Sequence, residues 1–191
     1  MDDRELVEQA KSGSHEAFAI LVKRYEKKVF HLAYQFTRDQ AVADDLAQEV
    51  FIKAYCALPK FQFRSEFGTW LYRIVVNHIK DYLRKRTRAK EIAFPLREDN
   101  RLLEVDEWKK KEEAQIEEYR RTLVTQGLES LPRKYHLIIT LRDIQGLSYG
   151  EIAEILKISP GTVDSRLHRA RKLLRKKMAS LLSHKGGGHE V

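Results

Sequence analysis

Cysteine is almost missing from this sequence. Of 191 residues only Cys56 is one, so no disulfide can close within the chain. Cys56 falls in an apolar helical stretch and is expected to be a small core residue. Proline and glycine are scarce, at four and nine residues, which leaves long periodic segments uninterrupted. No apolar run approaches the ~20 residues that a membrane-spanning helix needs. The first residues, Met1-Asp2-Asp3-Arg4-Glu5, lack the apolar core of a secretory signal, so a cytoplasmic protein is expected. His184 and His189 stand without companion ligands, and no histidine spacing accompanies the carboxylates elsewhere. Neither a metal site nor a cofactor is expected.

Positive charge is abundant. Thirty-six Lys and Arg face 28 Asp and Glu, a net +8 that favours a polyanionic partner. A hydrophobic fraction of 42% is enough for a real core. Apolar residues recur with helical rhythm at Phe18, Leu21, Val22, Tyr25, Val29, Leu32, Ala33 and Phe36. Further helices are predicted over about 41–58 and 69–88, separated by an aromatic loop from Phe61 to Gly68. Between Glu91 and Glu107 six acidic and two basic residues surround Pro95, and the rhythm fades. Helices are then predicted over about 112–130, 132–143, 148–156 and 159–182. The chain reads as all-α, with two small helical domains (1–90 and 112–183) joined by a flexible linker (91–111). The tail, 184–191, is expected to be disordered.

The second domain ends in a helix-turn-helix. Ser148 and Glu151 form a capping box that opens one helix. Ile152, Ala153, Ile155 and Leu156 supply its inward stripe, and Ala153 is small where the next helix must cross. Many such turns hold a glycine; here the position is Lys157, followed by the inward Ile158. Ser159 caps the next helix, and Pro160 takes its first position, where a missing N–H costs nothing. Val163, Leu167 and Leu174 form the buried edge. That leaves Ser165, Arg166, His168, Arg169, Arg171 and Lys172 outward, within a stretch from Asp164 to Lys177 that has seven Lys and Arg against one Asp. Such a helix suits a DNA major groove, where Arg and Lys reach guanine edges and hold phosphates.

A second nucleic-acid signal lies in the first domain. Lys80 to Lys90 has six basic residues and one acidic, and continues a helix that begins near Trp70. Phe61, Phe63, Phe67, Trp70 and Tyr72 lie just ahead. Aromatics beside a basic helix are what single-stranded DNA binding uses, at ~1–3 kcal/mol per stacked base. The same aromatics could equally be core. On the preceding helix, Asp44, Asp45, Gln48 and Glu49 form an acidic patch opposite Val42, Leu46, Val50 and Phe51. Physical reasoning leaves it as solvated surface or as a dock for a basic partner.

Three motifs together identify a family. Ala43-Asp44-Asp45-Leu46-Ala47-Gln48-Glu49-Val50-Phe51-Ile52-Lys53-Ala54-Tyr55 is one. Phe67-Gly68-Thr69-Trp70-Leu71-Tyr72-Arg73-Ile74-Val75-Val76-Asn77 is the second. The third comprises Leu147-Ser148-Tyr149-Gly150-Glu151-Ile152-Ala153 and Gly161-Thr162-Val163-Asp164-Ser165-Arg166. They resemble bacterial sigma factors of the extracytoplasmic function group, of the sigma-E/sigma-W type, from about Glu5 to Leu182. The resemblance implies a non-enzymatic factor that joins core RNA polymerase and directs promoter-specific initiation. It gives Asp45, Gln48 and Glu49 the role of docking on the β′ clamp helices, and implies a further contact with the β flap. It places capture of an unstacked −10 base at Phe63, Arg64, Phe67, Trp70, Arg73 and Asn77, with Lys80, Arg84 and Lys85 on nearby backbone. It gives the −35 duplex to Ser165, Arg166, His168, Arg169, Arg171 and Lys172. Membership also implies an anti-sigma factor as regulator.

Two other classes fit less of the chain. A stand-alone helix-turn-helix regulator accounts for Ser148 to Lys177 but not for the aromatic–basic region or the acidic helix. A DNA-processing enzyme needs a nucleophile or a convergent carboxylate–metal site. Asp44, Asp45 and Glu49 instead follow one helix surface.

Overall fold

Eight helices are built by local signals that can be followed residue by residue in a computed structural model, which describes residues 1–92 and 111–186. Helix α1 (Asp3–Lys11) was not anticipated, although its start is written in the sequence. Asp2 accepts from the Glu5 amide at 2.8 Å, and Glu5 accepts from the Asp2 amide at 2.9 Å, a complete capping box. Gly13, at φ 100°, makes the left-handed turn that follows. Ser14 then caps α2 (His15–Thr37), which ends on a left-handed Arg38. Asp39 caps α3 (Gln40–Ala57), and a 3₁₀ turn with Pro59 stops the chain at Lys60. After the loop at 61–66 comes α4 (Phe67–Ile92).

Helix α2 packs on α1, α3 and α4. Leu6, Val7, Leu21, Val29, Leu32, Leu71 and Val76 are all essentially inaccessible to solvent there. Each such side chain contributes ~1.5–3 kcal/mol by leaving water. Gly68 permits the close crossing of α4 over α2, since a Cβ there would stand 2.9 Å from the Tyr25 hydroxyl. Tyr25 in turn donates its hydroxyl to Asp3, tying α1 to the pair.

The second bundle comprises α5 (Lys111–Glu129), α6 (Arg133–Ile139), α7 (Tyr149–Leu156) and α8 (Pro160–Gly186). Helix α6 runs into a π-turn at Thr140–Ile144, where the buried Thr140 hydroxyl donates to the His136 carbonyl at 3.0 Å. Ile138, Leu141, Ile152, Ile155, Val163, Leu167 and Ala170 form this bundle's centre. Most buried apolar residues of both bundles join in one continuous cluster, while Ala33, Ala43 and Leu46 form a small separate one between α2 and α3.

The structure is all-helical among the described residues, as expected, but corrects several local readings. Cys56 is exposed, and Ala54 holds the buried position on that turn of α3. Residues 91, 92 and 111 are helical, so those positions of the expected linker belong to α4 and α5; residues 93–110 lie outside the described residues. Helix α8 continues through Gly186, so the tail begins later than 184, and 187–191 also lie outside them. Leu174 is only half-buried, with Ala170 taking the central place on the inner edge of α8.

Candidate nucleic-acid interface

The helix-turn-helix forms as its residues require. Ser148 accepts from the Glu151 amide at 3.2 Å, and the Ser148 amide donates to Glu151 at 2.8 Å. Burial alone would raise the Glu151 carboxyl, but hydrogen bonds from Ser148 and Thr69 outweigh it and hold the group below the usual range. Lys157 closes α7 in the left-handed conformation at φ 54°, the geometry a glycine would adopt at less cost. Ser159 accepts from the Thr162 amide at 3.2 Å and starts α8. Val163 and Leu167 are buried against α7, which turns the remaining positions outward.

Ser165, His168, Arg169 and Lys172 are exposed along that outer face. Arg166 is half-buried and turns toward the first bundle, lining a cavity with Lys80. Arg171 is engaged: its Nη2 and Nε reach the two Asp143 oxygens at 2.6 and 3.2 Å, fastening α8 to the π-turn. Five of the six candidates are thus exposed, with Arg171 engaged by Asp143 and the Ser165 hydroxyl donating to the Thr162 carbonyl at 3.2 Å, and only Arg166 is half-buried.

The first bundle offers a strip along α4. Asn77, Lys80, Arg84 and Lys85 are exposed, as is Arg64 in the loop before it. Arg84 lies 3.4 Å from Asp81, an exposed pair of little energetic weight. The aromatics divide. Phe61, Phe67 and Tyr72 are buried at 5, 3 and 4% exposure, so these three are core here, Phe67 included among the expected base contacts. Phe63 and Trp70 are half-buried at the edge of the same cluster. Phe61 holds them with ring centroids at 5.0 Å to each. Phe63 has a left-handed φ of 53°, a conformation that a bulky side chain rarely adopts. Arg4 and Lys11 sit over its ring at 5.3 and 5.2 Å. Phe63 thus combines a sparsely populated backbone conformation with two cations over one partly open ring.

The acidic face of α3 lies beside this strip. Asp44, Asp45, Gln48 and Glu49 are exposed, while Leu46, Ala47 and Val50 are buried beneath. Lys53 donates to His78 Nδ1 at 2.6 Å, which leaves the ring proton on Nε2, 2.8 Å from Glu49. Burial first, then Lys53, lowers the His78 pKa, against the pull of Glu49. Glu49 is therefore the seam between the acidic face and α4. Sequence reasoning missed two further members of this face: Ile52 is 63% exposed and Tyr55 39%. Their relation to Asp45, seven and ten residues on, was the available signal.

The two bundles touch through these surfaces. Arg73 Nη2 meets Glu154 of α7 at 2.5 Å. Tyr72 donates to Gln145 Oε1 at 2.9 Å, and Thr69 to Glu151 at 3.4 Å. Burial, with Glu151 nearby, raises the Tyr72 hydroxyl to about 12, so it remains a donor. Phe36 stacks on His136 with centroids 4.5 Å apart, and Arg38 pairs with Glu129 at 2.6 Å. Among the described residues no group of three or more His, Cys, Asp or Glu side chains could hold a metal ion, and no helix is long and apolar enough to cross a membrane.

Comparison with known proteins matches both bundles. The pattern described as Sigma-70 region 2 covers residues 21–89, and Sigma-70, region 4 covers residues 121–174. The chain is 39% identical over 184 residues to the RNA polymerase sigma-H factor of Pseudomonas aeruginosa, covering 94% of this chain and 95% of that one. It is 38% identical over 191 residues to the ECF RNA polymerase sigma-E factor of Escherichia coli K12, covering 95% and 97%. Among solved structures it is similar to CnrH in complex with the cytosolic domain of CnrY, at a TM-score of 0.68, 29% identity and 95% and 97% coverage. The sigma factor RpoE of Bartonella quintana, in complex with the anti-sigma factor NepR, shares its fold at a TM-score of 0.65, 22% identity and 85% and 96% coverage.

Proposed function

The chain belongs to the extracytoplasmic function group of sigma-70 factors, and on that premise we propose how its named residues divide the work of promoter recognition. A sigma factor binds core RNA polymerase, directs promoter-specific initiation and performs no catalysis itself. In our reading residues 1–92 join the polymerase and open the −10 element, residues 93–110 link, and residues 111–186 hold the −35 duplex.

The acidic face of α3 supplies docking. Asp45, Gln48 and Glu49 lie one turn apart on an exposed face, over a rigid apolar base. They meet the β′ clamp helices, with Ile52 as the apolar anchor among the charges. Ile52, 63% exposed, lies one turn beyond Glu49 and beside Tyr55, 39% exposed, so the charged face carries a small apolar patch that a partner can bury. The second domain reaches the β flap.

The α4 strip captures the unstacked base. Extruding a base costs a few kcal/mol, so a pocket that rewards it can nucleate opening without ATP. Phe63 and Trp70 are the stacking faces, Asn77 the polar reader, and Arg64, Arg73, Lys80, Arg84 and Lys85 the phosphate holders. Phe67 supports the pocket from the core. On α8, Ser165, Arg166 and Arg169 read base edges, while His168 and Lys172 hold backbone. Arg171 would have to leave Asp143 to join them. The regulator in this reading is an anti-sigma factor, the kind of partner that RpoE of Bartonella quintana, which shares the fold, holds in its complex with NepR, and the chain acts in the bacterial cytoplasm.

The observation that carries this reading is the adjacency of the exposed acidic face of α3 to the basic strip of α4, which couples polymerase and −10 DNA through one small domain. The test is charge reversal. A D45K/E49K double variant is expected to lose affinity for core polymerase, measured by competition with the unaltered chain, while its isolated −35 DNA binding is kept. Unchanged polymerase affinity would remove the docking role.

A further inference from the structure

One side chain on the outer face of α8 has the opposite charge to its surroundings. Asp164 is the single acid in the stretch to Lys177, against seven Lys and Arg. It is exposed, and among the described residues it has no hydrogen-bond or ion-pair partner. The four other acids described between Glu129 and Gly186 all have one: Glu129 on Arg38, Asp143 on Arg171, Glu151 on Ser148 and Glu154 on Arg73. Neither usual role of a helical acid accounts for Asp164. It is the fifth residue of α8, beyond the first turn where a carboxylate complements the helix dipole. The positions three and four residues away hold Pro160, Gly161, Leu167 and His168, so no Lys or Arg stands at ion-pair spacing.

Its neighbours suit a donor arriving from outside. The exposed Ser165 gives its own proton to the Thr162 carbonyl at 3.2 Å, so its oxygen is left as an acceptor. Gly161, one turn earlier, is exposed, and a Cβ there would meet nothing within 4 Å. The fold therefore does not demand a glycine, which weakens a helix relative to alanine. It leaves room for another molecule to come close to the backbone. Acceptors thus gather at the N-terminal end of the face, and the donors Arg169 and Lys172 follow further along. Arg169 is five residues on, ~7.5 Å along the axis at ~1.5 Å per residue. That is about two base pairs at ~3.4 Å each.

An unpaired carboxylate in a DNA groove is repelled by phosphates unless a base donates to it. In the major groove cytosine offers its N4 amine with no acceptor of its own beside it. Adenine sets an N7 acceptor next to its amine, and guanine and thymine present acceptors. We propose that Asp164 is a specificity-determining residue, which accepts a hydrogen bond from a cytosine N4 amine in the −35 duplex and repels guanine and thymine at that position. The surrounding cations attract any phosphate backbone, whereas Asp164 selects among sequences while lowering affinity for the rest. Arg169, a donor, reads guanine at a separate base pair. This inference rests on the −35 reading given above.

The test uses holoenzyme reconstituted from core polymerase and the full chain, selecting from a promoter library randomised across the upstream element, with the bound DNA sequenced. The unaltered chain is expected to prefer cytosine about ten-fold at one position. D164A is expected to lose that preference and keep the others. D164N has the same shape but an amide that both donates and accepts, and is expected to move the preference at that position toward adenine. R169A is expected to lose a guanine preference at a different position. A change of preferred base is a readout that altered helix stability would not move. A profile unchanged at every position in D164A and D164N, or uniformly tighter binding with all preferences intact, would overturn the role of Asp164. Absence of any upstream preference in the unaltered holoenzyme would overturn the −35 reading itself, and this inference with it.

Discussion

At the scale of single residues, His136 and Arg166 make the sharpest claims. His136 is 6% exposed against Phe36, and burial, with Arg38 nearby, lowers its pKa to about 4. It is neutral when folded, while the unfolded chain takes up a proton near pH 6.5. Its contribution to stability is therefore complete above pH 6.5 and is lost as pH falls toward 4. The thermal midpoint of the unaltered chain is expected to drop across that window more than that of an H136Q variant. Equal drops would contradict the assignment. Arg166→Ala is expected to cost ~1–3 kcal/mol of −35 binding and to relax preference at one base position. A uniform loss over all sequences, measured by competition among single-base variants, would mean that Arg166 touches phosphate only. Residues were also where sequence reading failed. Cys56 shares a helical face with Gln48, Glu49 and Ile52, and exposed apolar residues on such a face look like core when read in one dimension. Phe67 erred in the other direction, because an aromatic next to a basic helix looks available until its burial is known. Arg171 could not be told from its neighbours without Asp143, which lies 28 residues away.

At the scale of elements, caps and turns decide. The Ser148–Glu151 box starts the helix that both supports α8 and meets α4. Ser148→Ala removes a bond to the Glu151 amide and is expected to cost ~1 kcal/mol of stability. A thermal melt would show this as a fall of ~4–8 °C for a domain of this size. An unchanged midpoint would mean that tertiary packing alone holds α7. Element order and type were legible because local chemistry and hydrophobic rhythm agree along most of the chain. The N-terminal helix was not found, since its nine residues are too short for rhythm to stand out and only the Asp2–Glu5 box announces it. The ends of α4 and α8 ran past expectation because basic residues do not stop a helix and no proline intervenes there.

At the scale of the whole molecule, two surfaces could be inferred from sequence and their mutual arrangement could not. The Arg73–Glu154 pair joins residues 81 positions apart, and no periodicity reports such a contact. Each domain needs only modest affinity, because tethering raises the local concentration of the second element once the first is bound. Net charge of +8 makes DNA binding salt-dependent, whereas burial of the exposed Ile52 by a partner would not be screened.

If one chain reads a promoter at two points and opens only the downstream one, footprinting of reconstituted holoenzyme on a promoter, with permanganate to report unpaired thymines, will show it. Two protected elements are expected about two helical turns apart, with reactive thymines at the downstream element alone and only when both core and this chain are present. Protection at the upstream element alone, with opening that requires another sigma factor, would contradict it.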